Sequence, residues 1–221
     1  METLVPTSAG PARLTVAAAG EPRAVLWLGH GAGGGIGAPD LTALAARLPE
    51  QGVTVVRHEQ PWRVAGKRIA SRPSALDAGW LESLPAVREL AGPLPLVVGG
   101  RSAGARVACR TAAETGATGV VCLGFPMHPP STPEKSRLPE LLTPTIPVLV
   151  LQGERDTFGT AAAVAEEARD APQVRVLEVP GADHSMKTLK GSALRPAQVL
   201  AMITDAVADF VGEVAGREAA R

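Results

Sequence analysis

Seven short, mostly apolar runs, rich in β-branched residues, punctuate the chain, and the segments LVV at 96–98 and VLVL at 148–151 are apolar throughout. A strand with one face in water alternates polar and apolar side chains. A strand apolar on both faces has to be covered on both, which is the situation of a parallel sheet sandwiched between helices. The runs at 13–18, 24–28, 53–58, 94–98, 119–123, 148–151 and 174–179 read as candidate strands. Helical patterns fall between them at 40–48, 74–90, 103–114 and 161–169, and a last helix begins near Pro196. In that helix Val199, Ile203, Val207, Phe210 and Val214 make one apolar stripe. Pro85 inside 74–90 predicts a break or kink, and Gly116 is placed to end the helix before it. The expectation is an α/β fold over residues 1–221 as a single domain, with a mostly parallel central sheet and helices on both faces. In such sheets function gathers in the loops beyond the carboxyl ends of the strands.

Composition removes several classes of function. Twenty-two basic residues balance 22 acidic ones, which argues against a broad electrostatic surface for nucleic acid or anionic membrane. No apolar run approaches the length of a membrane span, and the opening METLVPTSAG lacks the apolar core of a secretory signal. Cys109 and Cys122 form no C-x-x-C pair, have no histidine at metal-ligand spacing, and read as small buried thiols. The expectation is a cytoplasmic protein with no metal and no cofactor, acting on a small molecule, with its oligomeric state open.

The segment LPLVVGGRSAGARVACR at 94–110 is strand, sharp turn and helix, and Gly100-Arg101-Ser102-Ala103-Gly104 at its centre fits G-x-S-x-G. That spacing suits a serine projected from a strained strand-to-helix turn, where side chains two residues away on either side would strike neighbouring backbone. The helix that follows aims free N–H groups and a positive dipole end at the hydroxyl. The competing reading makes Ser102 a helix N-cap.

A serine nucleophile needs a general base, and the base needs an orienting acid. Of the four histidines, His30 and His58 precede Ser102, and no suitable acid lies between Ser102 and His128. His184 follows the last predicted strand in VPGADHSMK, on the correct side of the sheet. The preceding strand runs into VLVLQGERDTFG, where Asp156 has the reach of a short turn and Glu154 is the rival. Asp183, beside His184, reads as turn chemistry.

The glycine-dense stretch VLWLGHGAGGGIG at 25–37 carries two readings. Gly29, Gly31 and Gly34 satisfy G-x-G-x-x-G, and Glu59 lies near the distance of an acid for a ribose hydroxyl, so a nicotinamide-dependent oxidoreductase is one alternative. Against it, Gly34, Gly35, Gly37 and Pro39 delay the helix to about residue 40, whereas a pyrophosphate has to meet a helix N-terminus. The other reading brings the loop beside Ser102 and offers the N–H of Ala32, together with that of Ala103, to a developing oxyanion. His30 and Gly31 then belong to the pocket, His30 as the turn residue behind it.

With these residues placed, the chain resembles the α/β-hydrolases, and more narrowly a bacterial predicted-hydrolase family that includes testis-expressed protein 30-like proteins and is distantly related to dienelactone hydrolases. GHGAGG at 29–34, GGRSAGAR at 99–106, GFPMHPP at 124–130, GERDTFG at 153–159 and GADHSMK at 181–187 carry the resemblance. It implies an α/β-hydrolase fold and a serine hydrolase whose triad is Ser102, Asp156 and His184. Relatives usually have Met and Gly where this chain has Ala103 and Ala105, and dienelactone hydrolases carry cysteine in place of Ser102.

Only about twenty residues separate 123 from 148, room for one short helix near 134–142, so no large lid domain is expected. Phe125, Pro126, Met127 and His128 are expected to form one pocket wall, and Trp62 with Arg63 another. The basic loop of Arg63, Lys67, Arg68 and Arg72 reads as a solvated loop, with attraction of an acidic substrate as its alternative. A non-catalytic binding or scaffold role on the same fold is the remaining alternative.

Overall fold

The computed structural model describes residues 1–219. Among them eight strands form one sheet: β1 Glu2–Val5, β2 Ala12–Ala17, β3 Ala24–Gly29, β4 Val53–Glu59, β5 Leu96–Arg101, β6 Gly119–Leu123, β7 Val148–Gly153 and β8 Val174–Val179. Their spatial order is β1-β2-β4-β3-β5-β6-β7-β8. β1 and β2 pair antiparallel with each other, β2 pairs antiparallel with β4, and every later pairing is parallel.

The helices are α1 Pro39–Arg47, α2 Pro61–Val64, α3 Pro73–Leu81, α4 Leu84–Ala91, α5 Ala103–Arg110, α6 Ala112–Thr115, α7 Leu138–Leu141, α8 Ala161–Glu167 and α9 Pro196–Ala219. The run expected at 74–90 is divided into α3 and α4, with Pro85 in the first turn of α4, where its missing N–H has no intrahelical partner to lose. α6 ends at Gly116, whose φ of 59° is the left-handed conformation of a helix stop. The helix expected at 134–142 is a single turn at 138–141.

Strand alternation sorts the core onto two faces. Val25 and Trp27 of β3 join Val98, Val120, Val150 and side chains of α3, α4 and α5 on one face. Leu26 and Leu28 join Val55, Val97, Val121, Leu149 and α1 and α9 on the other. The stripe Val199, Ile203, Val207, Phe210 and Val214 is at most 3% exposed and faces the sheet. Trp27 stacks on Trp80 with ring centroids 3.5 Å apart, and His58 meets both edge-on.

The sheet grows one way from β3 to β4 and the other way from β3 to β5. The loops leaving β3 and β5 therefore diverge over opposite faces and open a crevice at their carboxyl ends. No helix among the described residues is long and apolar enough to cross a membrane.

Candidate active site

Ser102 stands in that crevice, between the end of β5 and the first residue of α5. Its φ of 52° and ψ of −110° place a non-glycine residue in the sparsely allowed positive-φ region. Its N–H is held by the carbonyl of Leu123 at 3.0 Å. Two glycines make the turn possible: a Cβ on Gly100 would lie 2.5 Å from the carbonyl oxygen of Gly29, and one on Gly104 would overlap the backbone of Gly29 and His30. The sequence thus lets β3 and α5 touch backbone to backbone. The Ser102 side chain makes no capping hydrogen bond to α5, so the N-cap reading does not describe it.

The hydroxyl instead meets a histidine. His184 Nδ1 lies 2.8 Å from Asp156 Oδ2, and His184 Nε2 lies 3.0 Å from Ser102 Oγ. A carboxylate only accepts, so the imidazole proton is on Nδ1 and the Nε2 lone pair faces the serine O–H. Asp156 is 2% exposed and also accepts from the Phe158 N–H at 2.8 Å and from Gln152 Nε2 at 3.0 Å. The Phe158 ring covers the imidazole at 4.2 Å between centroids. Glu154 is exposed and takes the N–H of Gly181 at 2.6 Å, away from His184. Asp183 accepts from the N–H groups of Ser185 and Lys187 within its own turn.

A cleft of about 540 Å³ opens over Ser102 and His184, lined by Gly31, Ala32 and Ala103 among others. A Cβ on Gly31 would come 3.4 Å from the Cβ of Ser102, so the glycine loop passes directly beside the serine. Among the described residues, the N–H groups of Ala32 and Ala103 have no hydrogen-bond partner. α1 begins at Pro39, beyond the last glycine of the run, so no helix N-terminus meets the fingerprint of a dinucleotide site.

His30 lies behind this loop and is 3% exposed. Its Nε2 accepts from the Gln60 N–H at 3.1 Å, and its Nδ1 donates to the Gly31 carbonyl at 2.8 Å. Burial pushes its pKa down, which keeps the ring neutral and this pair of bonds in place. His30 and Trp62 line a small cavity of about 10 Å³ next to the cleft, not the cleft itself.

The expected walls need correction. Phe125 and Met127 are fully buried. The Phe125 carbonyl accepts from Gln152, and Met127 packs under Gly159, so both turn into the core. His128 donates to the Pro129 carbonyl in its own loop, and Arg63 sits against Gly35 on an exposed segment; neither lines the cleft. Of that wall only Pro126 faces the opening. Besides the glycine loop, Ala38 and Pro39, the opening is lined by Phe158, Arg101, Arg106, Arg137, Ser185 and Lys187, residues that sequence reasoning passed over. Lys67, Arg68 and Arg72 are exposed and outside the cleft, a solvated loop.

Two of the overlooked residues brace the serine and histidine. Arg101 donates to Asp40 Oδ2 at 2.5 Å and to the main-chain carbonyl of His184, tying α1, the serine turn and the histidine loop together. Gln152, fully buried, offers Nε2 to Asp156, Phe125 and Gly159. A polar residue closing the apolar run VLVL was the one signal of it in the sequence.

A second serine–histidine contact exists, His58 Nε2 to Ser83 Oγ at 3.1 Å. Both residues are fully buried under Trp27 and Trp80, and the Ser83 hydroxyl already donates to the Gly79 carbonyl. The histidine therefore donates and takes no proton from the serine. Burial drives its pKa down to about 3, and no substrate reaches the pair.

Known structures share this fold. An alpha-beta serine hydrolase homologue from Coxiella burnetii superimposes with a TM-score of 0.75 at 16% identity, over 94% of this chain and 97% of its own. A lidless member of the same class from Xanthomonas campestris gives 0.70 at 20% identity, over 96% and 94%. Est1E from Butyrivibrio proteoclasticus gives 0.74 at 14% identity, over 96% and 98%. Residues 22–212 match the family described as an alpha/beta hydrolase domain, and the chain belongs to that family.

Proposed function

We propose that this protein is a serine hydrolase that cleaves small carboxylic esters or thioesters through an acyl-enzyme on Ser102. The observation that carries the reading is the hydrogen-bonded series Asp156–His184–Ser102, with the serine on a strained turn at the floor of an open cleft. Ser102 Oγ attacks the carbonyl carbon while its proton passes to His184 Nε2, and Asp156 holds the imidazole and supports the imidazolium that forms. The N–H groups of Ala32 and Ala103 receive the oxyanion. The leaving alkoxide or thiolate takes the proton from His184. Water, deprotonated by the same nitrogen, then attacks the acyl carbon, and the bond to Ser102 Oγ breaks as His184 Nε2 returns the proton to that oxygen, freeing the acid and Ser102.

The unpartnered amides beside the serine and the dipole of α5 support the oxyanion role, and losing one such donor typically costs ~100–1,000-fold in rate. The test is turnover of a panel of short aryl esters and acyl thioesters by the protein and by Ser102→Ala. Loss of turnover on the order of a million-fold is expected. Equal turnover by the two proteins would remove Ser102 from the reaction.

A further inference from the structure

The chain as a whole is electrically balanced, yet among the described residues the cleft over Ser102 is lined by Arg101, Arg106, Arg137 and Lys187 and by no carboxylate, Asp156 lying behind His184. Two of these cations are already neutralised from behind. Arg101 is paired with buried Asp40 at 2.5 Å. Arg106 holds Glu140 through two bonds of 2.8 and 2.6 Å, and Arg110, outside the cleft, joins Glu140 and Asp77 at 2.6 Å each, so this group of two cations and two carboxylates cancels. The other two cations are surplus. Among the described residues, Arg137 places its side chain only on the Pro126 carbonyl at 3.0 Å, and Lys187 has no side-chain partner.

Arg137 is half-buried beside the balanced group. Burial first, then the neighbouring Arg106 guanidinium, lowers its pKa from the ordinary arginine value, and the attraction of Glu140, already held by Arg106 and Arg110, does not offset them. A guanidinium in that position, with no carboxylate bonded to it among the described residues, gains from a further anion.

We propose that the cleft selects acyl substrates carrying an anionic group, a carboxylate or a phosphate, which Arg137 and Lys187 receive while the scissile carbonyl lies at Ser102. This rests on the serine hydrolase reading and deepens it. Arg137 and Lys187 are placed as specificity residues: they bind a group remote from the bond that breaks and do not touch the reacting atoms.

Four aryl acetates that differ only in the para substituent test it: carboxylate, phosphate, uncharged carboxamide and trimethylammonium. Their intrinsic reactivities differ, so the readout is the ratio of kcat/KM for each charged ester to that for the neutral one, compared between the protein and its variants. Arg137→Met is expected to lower the ratio for an anionic ester about tenfold or more, and Lys187→Gln, on a more exposed side chain, about threefold. Lys187→Glu is expected to move preference toward the trimethylammonium ester, and it keeps the test open if Arg137→Met does not fold. The carboxylate and phosphate arms separate the two sources of the anion, and a fall in either supports the proposal. Turnover of all four esters with ratios unchanged in every folded variant overturns the anion selection while leaving the hydrolase reading intact. Absence of turnover of any of them, with Ser102 inert to acylating probes, overturns the hydrolase reading and the selection with it.

Discussion

Gln152→Glu exchanges one buried amide for a carboxyl of the same shape, and its consequence can be worked from the distances. Gln152 Nε2 faces three acceptors: Asp156 Oδ2 at 3.0 Å, the Phe125 carbonyl at 3.1 Å and the Gly159 carbonyl at 2.7 Å. An oxygen in that place has its own charge 3.0 Å from a carboxylate. Two unit charges at that separation repel by about 5–6 kcal/mol at an effective dielectric constant of about 20. That equals roughly four pH units, so in the folded protein the introduced carboxyl stays protonated far above its unfolded value of about 4.3. A group whose folded pKa is raised gives its full stability below the unfolded pKa and loses it as pH rises. Relative to the parent, Gln152→Glu is therefore expected to lose about 1.4 kcal/mol per pH unit above about pH 4.5, some 4 kcal/mol by pH 7.5. A constant deficit adds to this, because one carboxyl proton serves only one of three acceptors, and each one left unpaired costs about 1–3 kcal/mol. Urea unfolding followed by the fluorescence of buried Trp27, Trp62 and Trp80 measures it across that pH range. Gln152→Leu, which removes the donor without adding a titrating group, supplies the flat reference. If the Gln152→Glu deficit is as flat as that of Gln152→Leu, Gln152 does not sit against Asp156 as described.

Three further outcomes follow from buried contacts. His58, with its pKa brought down to about 3 by burial, stays neutral in the folded chain while the unfolded chain protonates below about 6.5. Stability is therefore expected to fall about 1.4 kcal/mol per pH unit more steeply in the parent than in His58→Gln between about pH 6 and 4, and equal slopes in urea titrations contradict this. Asp40→Ala leaves the half-buried Arg101 charge without its partner and is expected to destabilise by about 3 kcal/mol and to slow ester turnover by loosening the His184 loop. Asp40→Asn, whose amide oxygen still accepts, recovers part of both, as paired unfolding and kinetic measurements would show. Gly104→Ala drives a methyl into the backbone of Gly29 and His30 and is expected to cost about 3 kcal/mol, a drop of roughly 6–12 °C in Tm by calorimetry.

Much of this was legible in the sequence because it rests on local rules. Apolar, β-branched runs mark strands, and seven of the eight, β2 to β8, lie within a few residues of theirs, although β2 pairs antiparallel and β8 is half exposed at the sheet edge. β1 escaped because ETLV exposes three of its four residues at the sheet edge and shows no burial pattern. Chain order and strand ends pointed to Asp156 and His184, which the fold brings within 2.8 Å of each other, while the Glu154 carboxylate lies on the Gly181 N–H. The cleft walls were not readable in the same way. Arg137 reaches the opening because the 124–137 loop doubles back on itself, the Arg137 N–H on the Met127 carbonyl and its guanidinium on the Pro126 carbonyl, a path with no periodic signature. Phe125 and Met127 look like wall residues by position but follow the ordinary preference of large apolar side chains for the core.

The most direct test of the central claim is covalent. A fluorophosphonate forms a stable adduct with a serine activated by a neighbouring imidazole and leaves ordinary hydroxyls alone. Mass spectrometry of the labelled, proteolysed protein is predicted to place one adduct per chain on Ser102, and to find none in Ser102→Ala and far slower labelling in His184→Ala. A folded protein that takes no label, or takes it on Ser83 or another serine while Ser102 stays unmodified, contradicts the account.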